Sequence, residues 1–135
     1  ITVLGVAYKG NVSDTRETPA SKFIMLAEND GIIVRCHDPL VSEFKEKLID
    51  LDNATAGSDC IVLLADHDIF RNIDPLSLNM RNKNIVDTRD MVDSRLWKEA
   101  GFSVKIIGNG KTPEALTESL LFERNGSEAI NHSST

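Results

Sequence analysis

Residues 1–36 read ITVLGVAYKGNVSDTRETPASKFIMLAENDGIIVRC, and this stretch decides the fold class. Its two apolar runs, Ile1–Ala7 and Ile32–Cys36, are nearly continuous in Val, Ile, Leu and Ala, which is typical of strands buried on both faces. Between the runs, four apolar residues recur at the spacing of one helical face: Ala20, Phe23, Ile24 and Ala27. Thr18 is placed to cap that helix, Pro19 suits its first turn, and Gly31 suits its exit. The pattern predicts a strand, a helix and a second, parallel strand.

The rest of the chain repeats this unit. Three further strands are predicted, over Cys60–Ala65, Asn84–Asp87 and Phe102–Ile107. A second helix is predicted over Ser42–Leu51 with Phe44, Leu48 and Leu51 turned inward, and a third between Asp93 and Gly101 carries Leu96 and Trp97. Residues 68–83 are less regular and predict two short turns around Ile69, Phe70, Leu76 and Leu78. We therefore expect an α/β fold, a doubly wound, Rossmann-like five-stranded parallel sheet with helices on both faces and strand order 2-1-3-4-5.

The 135 residues fit one domain. We expect it to cover residues 1–124, with a last helix beginning near Thr112-Pro113, and expect residues 125–135 to form a polar, flexible tail. The chain opens at Ile1 inside an apolar run, so we expect a piece of a longer protein.

Composition narrows the class of function. The net charge of −6 argues against a nucleic-acid partner, because neutralising phosphates takes a basic face. No apolar run approaches the roughly 18 residues that span a bilayer. The first residues of the given sequence lack the charged and then apolar segments of a signal peptide. Two cysteines form no disulfide framework. We expect a cytoplasmic domain with no membrane partner.

Candidate ligand residues follow the predicted strands, because ligands of open parallel sheets bind beyond the carboxyl ends of the strands. Lys9 follows the first strand and Arg89 the fourth, so both should lie at one edge, while Arg16 lies near a helix start. Together they could hold a diphosphate or a carboxylate. The alternative is that Arg16, between Asp14 and Glu17, and Arg89, between Asp87 and Asp90, form ordinary ion pairs.

Other chemistry is weakly indicated. Residues 5–10, GVAYKG, lack the G-x-G-x-x-G dinucleotide spacing, and the three histidines show no metal-ligand spacing, so we predict no metal site. Asp66-His67-Asp68 could order an imidazole for acid–base work, but we favour a polar loop that caps the next helix. Cys36 and Cys60 lie in predicted strands, where thiols are usually inert. No set of catalytic residues is complete.

Residues 4–20, LGVAYKGNVSDTRETPA, resemble the opening of the C-terminal, UDP-binding domain of UDP-glucose/GDP-mannose dehydrogenases. His37-Asp38-Pro39, residues 56–70 (AGSDCIVLLADHDIF) and residues 84–89 (NIVDTR) extend the resemblance in the same order, over roughly residues 1–107. The resemblance implies part of an NAD-dependent oxidoreductase that converts the C6 alcohol of a UDP-sugar to a carboxylate. Tyr8, where UDP-glucose enzymes tend to have Phe, resembles the branch that acts on UDP-N-acetylhexosamines such as UDP-N-acetylmannosamine.

The resemblance also implies roles for single residues. By position, Tyr8, Lys9 and Arg89 match residues that contact the UDP-sugar substrate, and Arg16 matches one on the NAD side of the cleft. In this family the main NAD site, the nucleophilic cysteine and an acid–base lysine belong to upstream domains, and oligomers form through the central domain. We therefore expect this chain alone to be inactive, with those domains as its partners and a homo-oligomeric parent enzyme.

Two alternatives stay open. One is a stand-alone nucleotide-binding or regulatory module on the same fold, without catalysis. The other is a structural or interaction domain in which Lys9 and Arg89 are ion-paired surface residues.

Overall fold

The computed structural model describes residues 1–107. Within this range five strands form one sheet: β1 (Thr2–Leu4), β2 (Arg35–His37), β3 (Ile61–Leu63), β4 (Asn84–Asp87) and β5 (Ser103–Ile106). All four pairings are parallel, and the order β2-β1-β3-β4-β5 confirms the predicted topology. The expected helix near Thr112-Pro113, the domain end at residue 124 and the tail 125–135 lie outside the described residues.

Three α-helices and two 3₁₀ turns connect the strands: α1 (Pro19–Asn29), α2 (Leu51–Thr55), α3 (Ser94–Glu99), and turns at Asp68–Asn72 and Pro75–Ser77. The ends of α1 are as predicted, because the Thr18 hydroxyl accepts the Ala20 N–H and Gly31 leaves the helix with φ +81°. Asp93 caps α3 by accepting two backbone N–H groups. The two short turns between β3 and β4 are also confirmed.

The sheet separates two apolar clusters. Val3, Val62 and Val86 pack with Phe23 and Ile24 of α1. The strand residues next to these point to the other face and pack there with aromatic side chains. This second cluster includes Leu4, Ile61, Leu63, Ile85, Phe70, Trp97 and Phe102. Because successive strand residues point to opposite faces, α1 covers one face of the sheet and α3 the other.

The predicted helix over Ser42–Leu51 is wrong. Leu48 instead forms a parallel bridge with Cys36, and the Ile49 N–H donates to the Cys36 carbonyl at 2.9 Å. This backbone pairing at the open side of β2 requires an extended chain, so helix α2 begins only at Leu51, where the Asp50 carboxylate caps it. A hydrogen bond to a distant strand overrode the local helical spacing.

Two predicted strands are less buried than expected. Ile33 is 81% exposed because β2 begins only at Arg35. β5 is mostly exposed because it has a neighbouring strand on one side only within the described residues. None of the helices in residues 1–107 has the length and hydrophobicity that crossing a membrane requires.

Candidate functional site

The candidate site lies at the carboxyl edge of the sheet, between β1 and β3. In this strand order the connections change direction between β1 and β3, and ligands of open parallel sheets bind in the crevice that such a change leaves. The loops after the two strands meet there at Gly10 and Asp66. A Cβ on Gly10 would lie 2.6 Å from both the carbonyl oxygen and Oδ1 of Asp66, so this close contact requires glycine.

A buried carboxylate shapes the turn after β4. Asp87 is fully buried, and its Oδ1 accepts the N–H of Arg89 at 2.9 Å. Its Oδ2 accepts the N–H groups of Met91 and Val92 at 2.7 and 2.9 Å. Asp87 therefore acts on the backbone of this turn and is not the ion-pair partner of the Arg89 side chain.

Arg89 reaches the β1–β3 crevice through Asp66. Its Nε lies 3.6 Å from Asp66 Oδ1 and, within residues 1–107, is buried without a hydrogen-bond partner. Gly10 contacts the same carboxylate, so Asp66 brings the loop of Lys9 and the side chain of Arg89 together. The sequence prediction that Lys9 and Arg89 share one edge of the sheet agrees with this placement. The alternative was an ordinary ion pair of Arg89 beside Asp87 and Asp90; within residues 1–107 the carboxylate that its side chain approaches is that of Asp66.

Tyr8 and Arg16 lie in a neighbouring concavity. With Asp14 and Glu17 they line a shallow pocket of about 340 Å³. The Tyr8 N–H donates to the Asp14 carbonyl at 2.6 Å, and Tyr8 is 56% exposed. Among the described lining residues neither Lys9 nor Arg89 appears, so the four predicted site residues form two adjacent pairs along the edge.

Arg16 forms an exposed ion pair with Asp14. Its Nε and Nη2 donate to both carboxylate oxygens at 2.8–3.2 Å, and its side chain is 89% exposed. These hydrogen bonds lower the pKa of Asp14 to about 2. Such an exposed pair adds little to stability and leaves Arg16 able to exchange Asp14 for another anion.

The described residues do not form an NAD site of their own. The first amides of α1 are already used, since the Ala20 and Ser21 N–H groups donate to the hydroxyl and carbonyl of Thr18. The glycine-rich phosphate turn is absent from the loop after β1.

Sequence reasoning missed a buried pair behind the site. His67 is not part of an exposed capping loop: its side chain and that of Asp38 are both 0% exposed, and His67 Nε2 lies 2.9 Å from Asp38 Oδ2. The only sequence signal was that His37-Asp38-Pro39 and Asp66-His67-Asp68 follow β2 and β3, the two strands that flank β1.

The thiols are unsuited to nucleophilic catalysis. Burial raises the pKa of Cys36 to about 12, with the Glu46 and Glu28 carboxylates adding to the shift, and burial likewise raises the pKa of Cys60 to about 12. Both thiols are thus uncharged at neutral pH. No group of three or more metal-ligating side chains is assembled within residues 1–107.

We expect both thiols to react at least about 100-fold more slowly than free cysteine with a disulfide reagent at pH 8, because so little thiolate is present. The same chain in denaturant should react at the ordinary rate, and a fast native reaction at either site would contradict the burial.

The raised thiol pKa values also make stability depend on pH. Because the folded state holds these protons more tightly than an unfolded thiol with its pKa of 9.0, the contribution of the two thiols to the free energy of unfolding is present below pH 9. It is lost as the pH rises from 9 toward about 12.

Comparisons with known proteins identify the family. A model of the UDP-glucose/GDP-mannose dehydrogenase family, UDP binding domain, matches residues 2–94. The chain is 44% identical over 115 residues to a UDP-N-acetyl-D-mannosamine dehydrogenase of Methanococcus maripaludis, covering 82% of this chain and 27% of that enzyme. A UDP-glucose 6-dehydrogenase of Rickettsia prowazekii is 25% identical over 120 residues, covering 81% of this chain and 28% of that enzyme.

The fold is similar as well. The solved UDP-D-ManNAc dehydrogenase from Pyrococcus horikoshii superposes with a TM-score of 0.67 at 35% identity, covering 78% of this chain and 24% of that structure. The chain thus spans about a quarter of the length of the relatives it matches. With a family model over most of its length, the chain belongs to the UDP-glucose/GDP-mannose dehydrogenase family, of which it carries the UDP-binding domain.

Proposed function

We propose that this chain is the UDP-sugar-binding domain of an NAD-dependent nucleotide-sugar 6-dehydrogenase, which oxidises the sugar C6 alcohol to a carboxylate. Tyr8, Lys9 and Arg89 are its proposed substrate-binding residues, and Arg16 faces the NAD side of the cleft. The observation that carries the proposal is the meeting of the Lys9 loop and the Arg89 side chain at Asp66, in the crevice between β1 and β3.

The chemistry of these side chains suits a nucleoside diphosphate. Arg89 has a buried Nε donor without a hydrogen-bond partner in the described part of the chain, and only a 3.6 Å approach to one carboxylate oxygen. A diphosphate would provide closer acceptors, and charge-assisted hydrogen bonds to an anion are about twice as strong as neutral ones. Lys9 is exposed on the neighbouring loop, where it can act as a point charge.

The proposed substrate is UDP-N-acetylmannosamine or a related UDP-N-acetylhexosamine. Support comes from the higher identity to UDP-N-acetyl-D-mannosamine dehydrogenases than to UDP-glucose 6-dehydrogenases, 44% against 25%. Tyr8, which is exposed and lines the neighbouring pocket, supports the same choice, because UDP-glucose enzymes of the family tend to have Phe at this position.

The oxidation itself requires residues beyond those described here. Converting an alcohol to a carboxylate removes two hydrides, each accepted by one NAD⁺, and takes its second oxygen from water. The described residues form neither a dinucleotide site nor an activated thiol, since both cysteines have a pKa of about 12. We assign these functions to upstream NAD-binding and central domains of a cytoplasmic, homo-oligomeric parent enzyme.

We expect amide NMR shifts of the 135-residue chain to change at Tyr8, Lys9 and Arg89 during titration with UDP, and to change little with NAD. Lys9→Ala and Arg89→Ala should each weaken UDP binding about tenfold, because each removes a charged partner of the phosphates. The measurement is the dissociation constant from the concentration dependence of the shifts.

Arg81→Ala is the matched control. Arg81, like Arg89, is an arginine beside a carboxylate; it lies 2.5 Å from Asp59, is the more exposed of the two, and precedes β4 at the opposite edge of the sheet. Its removal should leave UDP binding unchanged. Undiminished binding in both the Lys9 and Arg89 variants would refute the site, and no response of the unmodified chain to UDP would count against the proposed function.

A further inference from the structure

A line of buried hydrogen bonds joins the loops that follow β1, β2 and β3. Asp38 Oδ2 accepts the N–H groups of Val6 and Ala7 at 2.8 and 3.2 Å and lies 2.9 Å from His67 Nε2. On the other side of the imidazole, His67 Nδ1 accepts the Asn11 N–H at 2.8 Å. The line therefore begins and ends on the loop after β1. Between its ends it passes through the side chain of Asp38, which follows β2, and that of His67, which follows β3.

These partners assign the protonation of His67. A backbone N–H can only donate, so Nδ1 must be without a proton to accept from Asn11. Nε2 then carries the proton, and its N–H donates a hydrogen bond to the Asp38 carboxylate. A proton on Nδ1 would point at the Asn11 N–H, so that two donors would face each other beside a fully buried imidazole. The neutral Nε2–H form alone satisfies both ring nitrogens, the Asn11 N–H and the Asp38 carboxylate.

The two ends of this line bracket the proposed ligand residues. Val6 and Ala7 lie directly before Tyr8 and Lys9, and Asn11 lies two residues after Lys9. Asn11 is held further by its side chain, whose Oδ1 accepts the Asp68 N–H at 2.8 Å and whose Nδ2 donates to the Asp68 carboxylate at 3.2 Å. Its φ of +61° is a left-handed conformation, which asparagine tolerates better than most residues. Tyr8 and Lys9 are thus exposed on a segment that is fixed on both sides.

We infer that His67 is a positioning residue of the nucleotide site: as the neutral Nε2–H tautomer it ties Asn11 to Asp38 and so fixes the loop that carries Tyr8 and Lys9. This inference rests on the proposed function for its ligand, although the loop geometry stands independently of it. Ordering this loop before the ligand arrives lowers the entropy cost of binding, and its loss therefore appears as weaker affinity.

Two conservative variants test the hydrogen bonds of the two ring nitrogens one at a time. His67→Gln keeps a donor near the position of Nε2 and leaves the Asn11 N–H unpaired. His67→Asn keeps an acceptor near the position of Nδ1 and gives up the donor to Asp38. Both lose one buried hydrogen bond, so both should be less stable than the unmodified chain, but only His67→Gln should release the loop.

The expected result is a split between the two variants. UDP affinity should fall about five- to tenfold in His67→Gln and stay within about twofold in His67→Asn, as expected for losing or keeping one anchor of the loop. Hydrogen exchange at the Tyr8 and Lys9 amides should quicken only in His67→Gln. If both variants lose affinity in proportion to their loss of stability, His67 is merely structural and the inference fails.

The tautomer is tested on the unmodified chain, without relying on any variant folding. Long-range proton–nitrogen NMR spectra of the imidazole should show a proton on Nε2, a bare Nδ1, and a coupling across the hydrogen bond from the Asn11 amide nitrogen to Nδ1. A proton on Nδ1 near neutral pH would overturn the inference. If UDP does not bind the unmodified chain, the proposed function fails, while the tautomer and the exchange rates still decide whether His67 fixes the loop.

Discussion

Replacing Gly5 by alanine is expected to destabilise the domain by about 2–5 kcal/mol, combining left-handed backbone strain of roughly 1–2 kcal/mol with overpacking of roughly 1–3 kcal/mol. Gly5 directly follows β1 and has φ +89°. A Cβ there would lie 2.6 Å from the Cβ and 2.8 Å from the backbone nitrogen of Ala65, which lies two residues beyond the neighbouring strand β3. Since the obstruction includes backbone of the loop after β3, it cannot move aside without separating the two loops of the site. Urea unfolding followed by circular dichroism measures the change.

Gly31→Ala is the control for the backbone term. Gly31 has nearly the same φ, +81°, but in the described part of the chain no atom beyond its own and its two chain neighbours lies within 4 Å of an added Cβ. Its cost should be limited to about 1–2 kcal/mol of conformational strain, partly offset by the lower entropy of the unfolded chain. Equal losses of stability in the two variants would show that the contact between Gly5 and Ala65 is loose enough to accommodate a Cβ.

Asp38→Ala is expected to cost about 3–5 kcal/mol, the usual loss when one member of a buried, hydrogen-bonded polar group is removed. Its two oxygens accept three backbone N–H groups besides the His67 ring, from Val6, Ala7 and Leu40. All of these donors would lose their partner at once. Against a typical total stability of about 5–15 kcal/mol, this loss removes a large share of the stability at 25 °C.

Asp93→Ala provides the comparison with an exposed carboxylate. Asp93 also accepts two backbone N–H groups, those of Arg95 and Leu96, but water can replace it there. Loss of such a helix cap costs about 1 kcal/mol. If the variant of Asp38 is no less stable than that of Asp93, water enters the space behind the site and the buried line of hydrogen bonds is not the main support of its loop.

Much of the fold followed from local pattern. The spacing of Ala20, Phe23, Ile24 and Ala27, with Thr18 before and Gly31 after, predicts α1 because these effects act within a few residues of one another. The same is true of α3 and its cap, Asp93. The placement of Lys9 and Arg89 at one edge of the sheet was also predictable, since parallel strands place their carboxyl ends together.

The misses have one physical origin. Leu48 and Ile49 pair with Cys36, and His67 binds Asp38, a residue 29 positions away. In each case the partner is distant in the chain, and the gain comes from satisfying polar groups that burial has removed from water. Nothing within the pattern of residues 42–51 or 66–68 announces such a partner.

Apolar spacing and helix caps depend on neighbouring residues, and the parallel sheet that they predict suffices to place the loops of the candidate site along one edge. The roles of the polar side chains in those loops were decided only by tertiary structure. Asp87 accepts backbone amides and does not pair with the Arg89 side chain, Asp66 lies between Arg89 and Gly10, and His67 is buried behind the site. A polar group's role depends on which partner meets it once water is excluded, and that partner is chosen by the packing of the whole sheet.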